Sequence, residues 1–391
     1  MSDQVLLWCV LVVVYGWECA CWLGRDSVAL ITWLGRGWRL RNPGRLVGNQ
    51  RGGFVAVPPL PPLGTILVAS SLPVSLSAQG VLGFVSATLG AGGRSAQSGA
   101  FFRMEDLAQI RVRNRKLFVG GRFLAQCDSV VAANQLAATL KVLATAPAET
   151  RERELQRIVR SMFQLGGLQT VWNTFQARSR GLRWCTNALF CDLFLIIPAA
   201  IWFLGLGRTW VPLLVLLLGL TTTAAVLFHR LHRQLYPELE DERFTHCILV
   251  WLSPATSIRA VDTLSRPLLQ AYHPLVVAAH FLNPAAFRPF ATRVLLELRH
   301  PALPVCPVGD EAAVATELFW RSLLLGEVER FLKKRELDPQ ELLAPPTLVE
   351  ESCSAYCPRC RTQFTRGTDS CADCGGMPLL PFFKPAGNTP K

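Results

Sequence analysis

Residues 187–207, NALFCDLFLIIPAAIWFLGLG, and residues 210–228, WVPLLVLLLGLTTTAAVLF, decide how this chain folds. Each run is almost unbroken in its apolar character. As a helix rising about 1.5 Å per residue, each reaches across a hydrocarbon core about 30 Å thick. Only Arg208 and Thr209 separate the two runs, so they read as a helical hairpin with both outer ends on one side of a membrane. Arg178, Arg180 and Arg183 precede the hairpin, and His229, Arg230, His232 and Arg233 follow it. Basic flanks of this kind stay in the cytoplasm. Trp184 and Trp210 stand at run ends, where indole rings favour the interface. The alternative to a span is a buried core helix.

A further apolar run occupies residues 5–24, VLLWCVLVVVYGWECACWLG, and carries Glu18. No positive side chain precedes it, whereas Arg25, Arg36, Arg39, Arg41 and Arg45 follow, so its N-terminus is expected outside. A cleaved signal peptide is the rival reading. Such peptides begin with a basic segment, which this one lacks, although Ala20 supplies the small residue that cleavage uses. The expectation is an α-helical membrane protein with three spans, lodged in a bacterial inner membrane with its C-terminus in the cytoplasm.

Composition agrees with that class. The 391 residues include 40 basic and 28 acidic side chains, and only 17% are charged, against the usual quarter. This excludes a disordered chain and argues against one ordinary soluble domain. Residues 25–184 hold 21 basic and 7 acidic side chains, whereas residues 229–391 hold 18 of each. A basic half points to nucleic acid or to a membrane-facing cytoplasmic segment, and the apolar runs favour the second. Thirteen cysteines without the spacing of a secreted scaffold fit a reducing compartment.

The chain divides into an N-terminal transmembrane helix (1–24), a basic membrane-surface segment (25–52), a β-rich cytoplasmic domain (53–147), an amphipathic helix (148–184), the transmembrane hairpin (185–229), a helical cytoplasmic module (230–350) and a C-terminal ribbon with its tail (351–391). In the surface segment, DSVALITWLGRGWRLRN (26–42) mixes apolar and basic residues, with Trp33 and Trp38 suited to headgroup level. A continuation of the first span is the other reading of it. Pro58-Pro59 and Pro61-Pro62 form a stiff connector, and GAGGRSAQSG (90–99) reads as a loop. IRVRNRKLFVGGRFLAQC alternates, with turns at Asn114 and at Gly120-Gly121, and Asp128-Ser129 caps a helix. Six or seven short strands closed by one helix suggest a small β-barrel or roll. That order resembles the pleckstrin-homology-like folds of bacterial membrane proteins, in layout alone.

Leu155, Ile158, Met162, Leu165, Leu168, Trp172 and Phe175 make a helical stripe, interrupted by Gly166-Gly167. It suits packing on the β-domain, or a seam to a second copy of the chain. Farther on, Ser253-Pro254, Arg266-Pro267, His273-Pro274, Asn283-Pro284 and Asp338-Pro339 mark helix starts, where a missing N–H is harmless. Asp310 is expected to cap a longer helix with Val314, Leu318, Leu325, Val328 and Leu332 on its inner side. THCILVWL (245–252) and LVVAAHFL (275–282) are too short to span and are expected inside a bundle.

The chemistry lies in YCPRCRTQFTRGTDSCADCGG, residues 356–376. Cys357 and Cys360 form one CxxC pair, Cys371 and Cys374 the other. Two such turns place four thiolates around one tetrahedral ion, leaving it no open position, so the site is structural. The segment resembles the rubredoxin-like class of zinc ribbons, which implies zinc at Cys357, Cys360, Cys371 and Cys374, with Phe364 as a small core residue. Iron is the rival metal. Arg361 stands where such a knuckle often has glycine, and Cys353 is a bystander.

No phosphate-binding glycine loop, HExxH or nucleophile elbow occurs in the sequence, so an enzymatic role is left undecided, leaning against. His229 and His232 are three apart and share a helix face as ligands or as an interfacial flank. Asp192, inside the hairpin, is expected to pair with Arg230 or to act as a proton relay. The functional expectation is a membrane-anchored binding, adaptor or regulatory protein whose ribbon contacts a protein partner. The alternatives are a nucleic-acid binder using Arg359, Arg361 and Arg366, or a membrane enzyme or transport component.

Overall fold

Two helical stretches, Arg180–Leu204 and Trp210–Leu235, are long and apolar enough to cross a membrane. Only 28% and 17% of their most apolar windows are buried inside the protein, unlike the core helices of a soluble domain. The computed structural model describes residues 5–10, 13, 27–33, 36–38, 64–70, 72–85, 98–127, 129–282, 284–300, 311–365, 367–374 and 376–382. The run expected as a first span is helical at 5–10 and 13 and otherwise lies outside the described residues, as do the proline connector and most of the loop at 90–99.

Strands β1 (Ser27–Trp33) and β2 (Arg36–Trp38) pair antiparallel, and β1 also pairs along its whole length with β3 (Gly64–Ser70). Within the stretch expected at the membrane surface, residues 27–33 and 36–38 are strands of this sheet. SVALITW is rich in β-branched and aromatic residues, which fit a pleated surface, and GTILVAS offers it a matching edge. Two three-stranded antiparallel meanders follow. The first joins β4 (Val74–Leu76), β5 (Gly80–Val85) and β6 (Ser98–Arg103). The second joins β7 (Ile110–Arg113), β8 (Lys116–Val119) and β9 (Arg122–Gln126). Asn114, Gly120 and Gly121 take positive φ at its turns, as their residue types anticipate. A Cβ at Gly83 would overlap the Leu124 carbonyl, so glycine is what allows β5 to lie against β9. Among the described residues the strands remain separate small sheets, and none closes into the expected barrel.

Helix α1 (Val130–Thr145) closes the sheets, capped by the Ser129 hydroxyl, which accepts from the Ala132 amide at 3.0 Å. The amphipathic stretch breaks into α2 (Ala148–Met162) and α3 (Leu165–Arg178), at Phe163-Gln164 rather than at the glycines. Its stripe is covered within the chain. Leu155 and Val159 join the sheet core, while Leu168, Trp172 and Phe175 join a helical core.

The hairpin consists of α4 (Arg180–Cys191), a π-helical turn at Asp192–Ile196, α5 (Ile197–Leu204) and α6 (Leu206–Leu235), reversing at Gly205 with φ +76°. Helix α7 (Glu240–Leu252) folds back along α6, and α8 (Pro254–Ile258), α9 (Ala260–Gln270), α10 (Pro274–Phe281) and α11 (Pro284–Arg299) complete a bundle. Ser253, His273 and Asp338 cap helices that begin at the following proline, as expected. Pro267 departs from that pattern and lies inside α9. LVVAAHFL is buried as expected, but THCILVWL is not: Ile248, Leu249, Trp251 and Leu252 are exposed.

Helix α12 (Glu311–Lys333) crosses from the bundle to the sheets. The expected stripe holds in its C-terminal half, where Val328 and Leu332 are buried and Leu325 packs on the helical core, but not in its N-terminal half, where Val314 and Leu318 are exposed while Thr316, Glu317 and Trp320 are buried. The buried polar groups are paired. Ser77 and Thr316 hydroxyls lie 2.8 Å apart, Ser75 donates to Glu317, and Arg321 forms an ion pair with Glu317. Trp320 completes the sheet core. A helix from the C-terminal half thus fills the core of the N-terminal half.

Candidate metal centre

The last described elements are α13 (Pro339–Leu343), β10 (Cys353–Tyr356), β11 (Gln363–Thr365), β12 (Ser370–Cys371), β13 (Met377–Pro378) and β14 (Leu380–Pro381). They form two minimal sheets, β11-β10-β14 and β12-β13. Each sheet brings one CxxC turn to the same point. In the first turn the Cys357 amide donates to the Thr362 carbonyl and the Arg361 amide to the Cys357 carbonyl, both at 2.9 Å. In the second the Gly376 amide donates to the Cys371 carbonyl at 2.9 Å, with Gly376 at φ +86°.

The sulfurs of Cys357, Cys360, Cys371 and Cys374 all lie within 4.8 Å of one another, so the structure brings together all four residues singled out by their spacing. Cys360 and Cys371 sulfurs are 3.7 Å apart. A tetrahedral ion with metal–sulfur bonds of about 2.3 Å has an edge of about 3.8 Å, which the Cys360–Cys371 pair already matches, so the four sulfurs are close enough to share one ion. Cys357 and Cys371 are fully buried, and Phe364, Met377 and Leu379 pack against the cluster. The Cys360 thiol is pushed down to about 4, chiefly because the Cys374 side chain donates to its thiolate, with Thr362 adding to the effect. Cys353 pairs with Thr365 at the start of β10, outside the cluster.

Arg361 has a second task that its spacing alone does not reveal. It takes φ +62°, the left-handed conformation for which such a turn usually recruits glycine. Its guanidinium reaches back to α13, donating to the carbonyls of Leu342 and of Ala344, the latter at 3.0 Å. These are carbonyls at a helix C-terminus, which lack helical partners and favour a cation. Gln363 adds a bond of 2.7 Å to the Thr347 carbonyl. Between the docked ribbon and the bundle runs a cleft of about 240 Å³, lined in part by Arg299, His300, Tyr356 and Arg361.

The other residues singled out by the sequence are dispersed. His229 is exposed, 3.7 Å from the Cys247 sulfur, whereas His232 is buried and its ring centre lies 6.5 Å from that of His246. The two histidines thus straddle a face boundary instead of sharing a ligand face. Asp192 is 1% exposed, and neither carboxylate oxygen has a hydrogen-bond partner among the described residues. The expected pair with Arg230, which is exposed, does not form. Hairpin register explains this. The Cys185 thiol meets the Leu220 carbonyl at 3.4 Å, and Gly181 faces Leu227, so Asp192 lies level with the middle of α6, roughly 20 Å along the helix from Arg230. Comparison with family models, with curated proteins and with solved structures finds no match to this chain.

Proposed function

We propose that this chain is an integral protein of a bacterial inner membrane, N-terminus outside and C-terminus in the cytoplasm, that works by binding. Its ribbon holds a structural zinc ion and presents a surface to a protein partner. Docking of the ribbon, through Arg361 to Ala344, is the observation that carries this reading. A ribbon fixed to a membrane-anchored body is a positioned recognition surface, whereas a ribbon on a free tail is not. Zinc is favoured over iron because four sulfurs in a closed shell meet its tetrahedral preference without redox demands. The arrangement also weakens the nucleic-acid reading: Arg361, one of its three arginines, is turned inward with its Nη2 on two backbone carbonyls. The orientation rests on the basic flanks of the hairpin.

Capture of the full chain from detergent-solubilised membranes, beside a Cys371→Ser variant, tests the proposal. A protein recovered with the parent chain and lost with the variant is the expected result. Recovery of nucleic acid that disappears as salt is raised would replace it with the alternative. Identical recoveries from both chains would remove the ribbon from the function.

A further inference from the structure

Helix α7 is amphipathic the wrong way round for a helix facing water. Its buried side holds Arg243 and Val250. Its outward side holds Phe244, Ile248, Trp251 and Leu252, at positions i, i+4, i+7 and i+8, with Leu249 beside them. These five side chains are 38% to 68% exposed, a contiguous apolar stripe of a kind that soluble surfaces avoid. From Phe244 to Ile258 no Asp, Glu, Lys or Arg occurs.

The position of this stripe identifies what covers it. Cys247 lies beside His229, and the Trp251 indole donates to the Thr222 hydroxyl at 3.1 Å. Helix α7 therefore descends along α6 toward the apolar part of the hairpin. Its tip ends seven residues of α6, about 10 Å, inside the His229 flank. There its stripe continues the exposed apolar surface of the hairpin, which includes Leu214, Val215 and Leu218. Trp184, 70% exposed, stands at nearly the same level on α4, because Cys185 meets Leu220.

Several polar groups of the turn at the tip are satisfied within the protein. The Ser253 amide donates to the Leu249 carbonyl at 2.9 Å, and the Ser253 hydroxyl accepts from the Thr256 amide at 3.2 Å. The Ser257 hydroxyl donates to the Val250 carbonyl, and Pro254 has no N–H to satisfy. Ala255, Ser257 and Ile258 are buried. Backbone that leaves a helix at membrane depth is tolerated only where its polar groups are satisfied by protein in this way. The first charges beyond it, Arg259 and Asp262, pair at 3.2 Å and are buried in the bundle.

We propose that residues 244–258 enter the cytoplasmic leaflet tip-first, as a membrane-embedded element that does not cross. Leu252 and Trp251 contact acyl chains, and Phe244 stays near the headgroups. This rests on the membrane reading of the hairpin, so the test must separate the two. Photo-reactive benzoyl-phenylalanine is placed singly at Phe203 on the hairpin, at Leu252, and at Val314 on α12. The full chains are reconstituted in vesicles of phosphatidylethanolamine and phosphatidylglycerol, and lipid adducts are quantified by mass spectrometry. Expected are adducts at 203 and at 252, with the yield at 252 on the order of tenfold above that at 314. Adducts at 203 with none at 252 would overturn the embedded element and leave the hairpin standing. No adduct at 203 would overturn the membrane reading and the element with it, and equal yields at 252 and 314 would overturn the element alone. Position 249, on the same face, repeats the test where the 252 variant is poorly folded.

Discussion

The Arg361 guanidinium donates to the Ala344 carbonyl at 3.0 Å from a backbone held at φ +62°. One residue thus meets a turn requirement of the metal site and a docking requirement of the domain. Arg361→Ala keeps the left-handed cost and loses the bonds, whereas Arg361→Gly loses the bonds but recovers roughly 1 kcal/mol of backbone cost. Hydrogen bonds to charged donors contribute about 1.5–3 kcal/mol. Amide exchange across residues 353–382 should therefore quicken in both variants, more in Ala than in Gly, with metal content unchanged. Unaltered exchange would mean that the ribbon is held by something else.

Cys371→Ser should lose the metal and melt the ribbon, because a segment this small takes most of its folding energy, roughly 10–16 kcal/mol in comparable sites, from the ion. Cys353→Ser should keep one ion per chain. Elemental analysis of both purified variants checks this. Full metal in the first, or none in the second, contradicts the ligand set.

Glu317 is 1% exposed and paired with Arg321 and Ser75. Removing Arg321 leaves a buried carboxylate without its counter-charge, which costs about 3–5 kcal/mol. Arg321→Ala should lower the unfolding midpoint of the protein markedly. Glu317→Gln, which keeps the shape and drops the charge, should cost less. Equal losses, measured by denaturant titration in detergent, would show that shape rather than charge matters here.

His273 caps α10, its ring accepting from the Leu275 amide at 3.2 Å and stacking on Phe163 at 4.6 Å. Burial pushes its pKa down to about 3. The unfolded chain then binds this proton more readily, so its share of stability is whole above pH ~6.5 and is lost as the pH falls toward 3. Asp262 has the opposite sign: burial raises it to about 6, against the pull of Arg259 and Arg266, and its share is lost as pH rises through that value. Relative to the parent chain, His273→Asn should gain melting temperature as pH falls from about 6.5, and Asp262→Asn should lose it below about 6. Parallel melting curves for parent and variants across that range would show that neither group is linked to folding.

Legibility followed the range of each interaction. Cysteine spacing, turn glycines and N-cap serines are local signals, and the four sulfurs, Gly120-Gly121 and Ser129 stand as their spacing anticipates. Hydrophobic length likewise located the two long hairpin helices. What failed depended on partners far away in the chain. Nothing near Thr316 or Glu317 announces Ser77 or Ser75, so the expected inner face of α12, from Val314 and Leu318 to Leu325, Val328 and Leu332, holds only over the last three of these residues. The Asp192 expectation failed on register, which is set by contacts such as Cys185 with Leu220 and not by distance from each run's end. That SVALITW is a strand becomes legible only once GTILVAS is known to lie beside it.

Ser75 and Glu317 are 242 residues apart. A ribosome adding about 5–20 residues per second needs roughly 12–50 s to make the second after the first. Throughout that interval the sheets lack Trp320, which completes their core, while the two long apolar helices are already made. Closure of the sheet core therefore waits for α12, and a chain truncated ahead of α12 leaves apolar residues of the sheets uncovered.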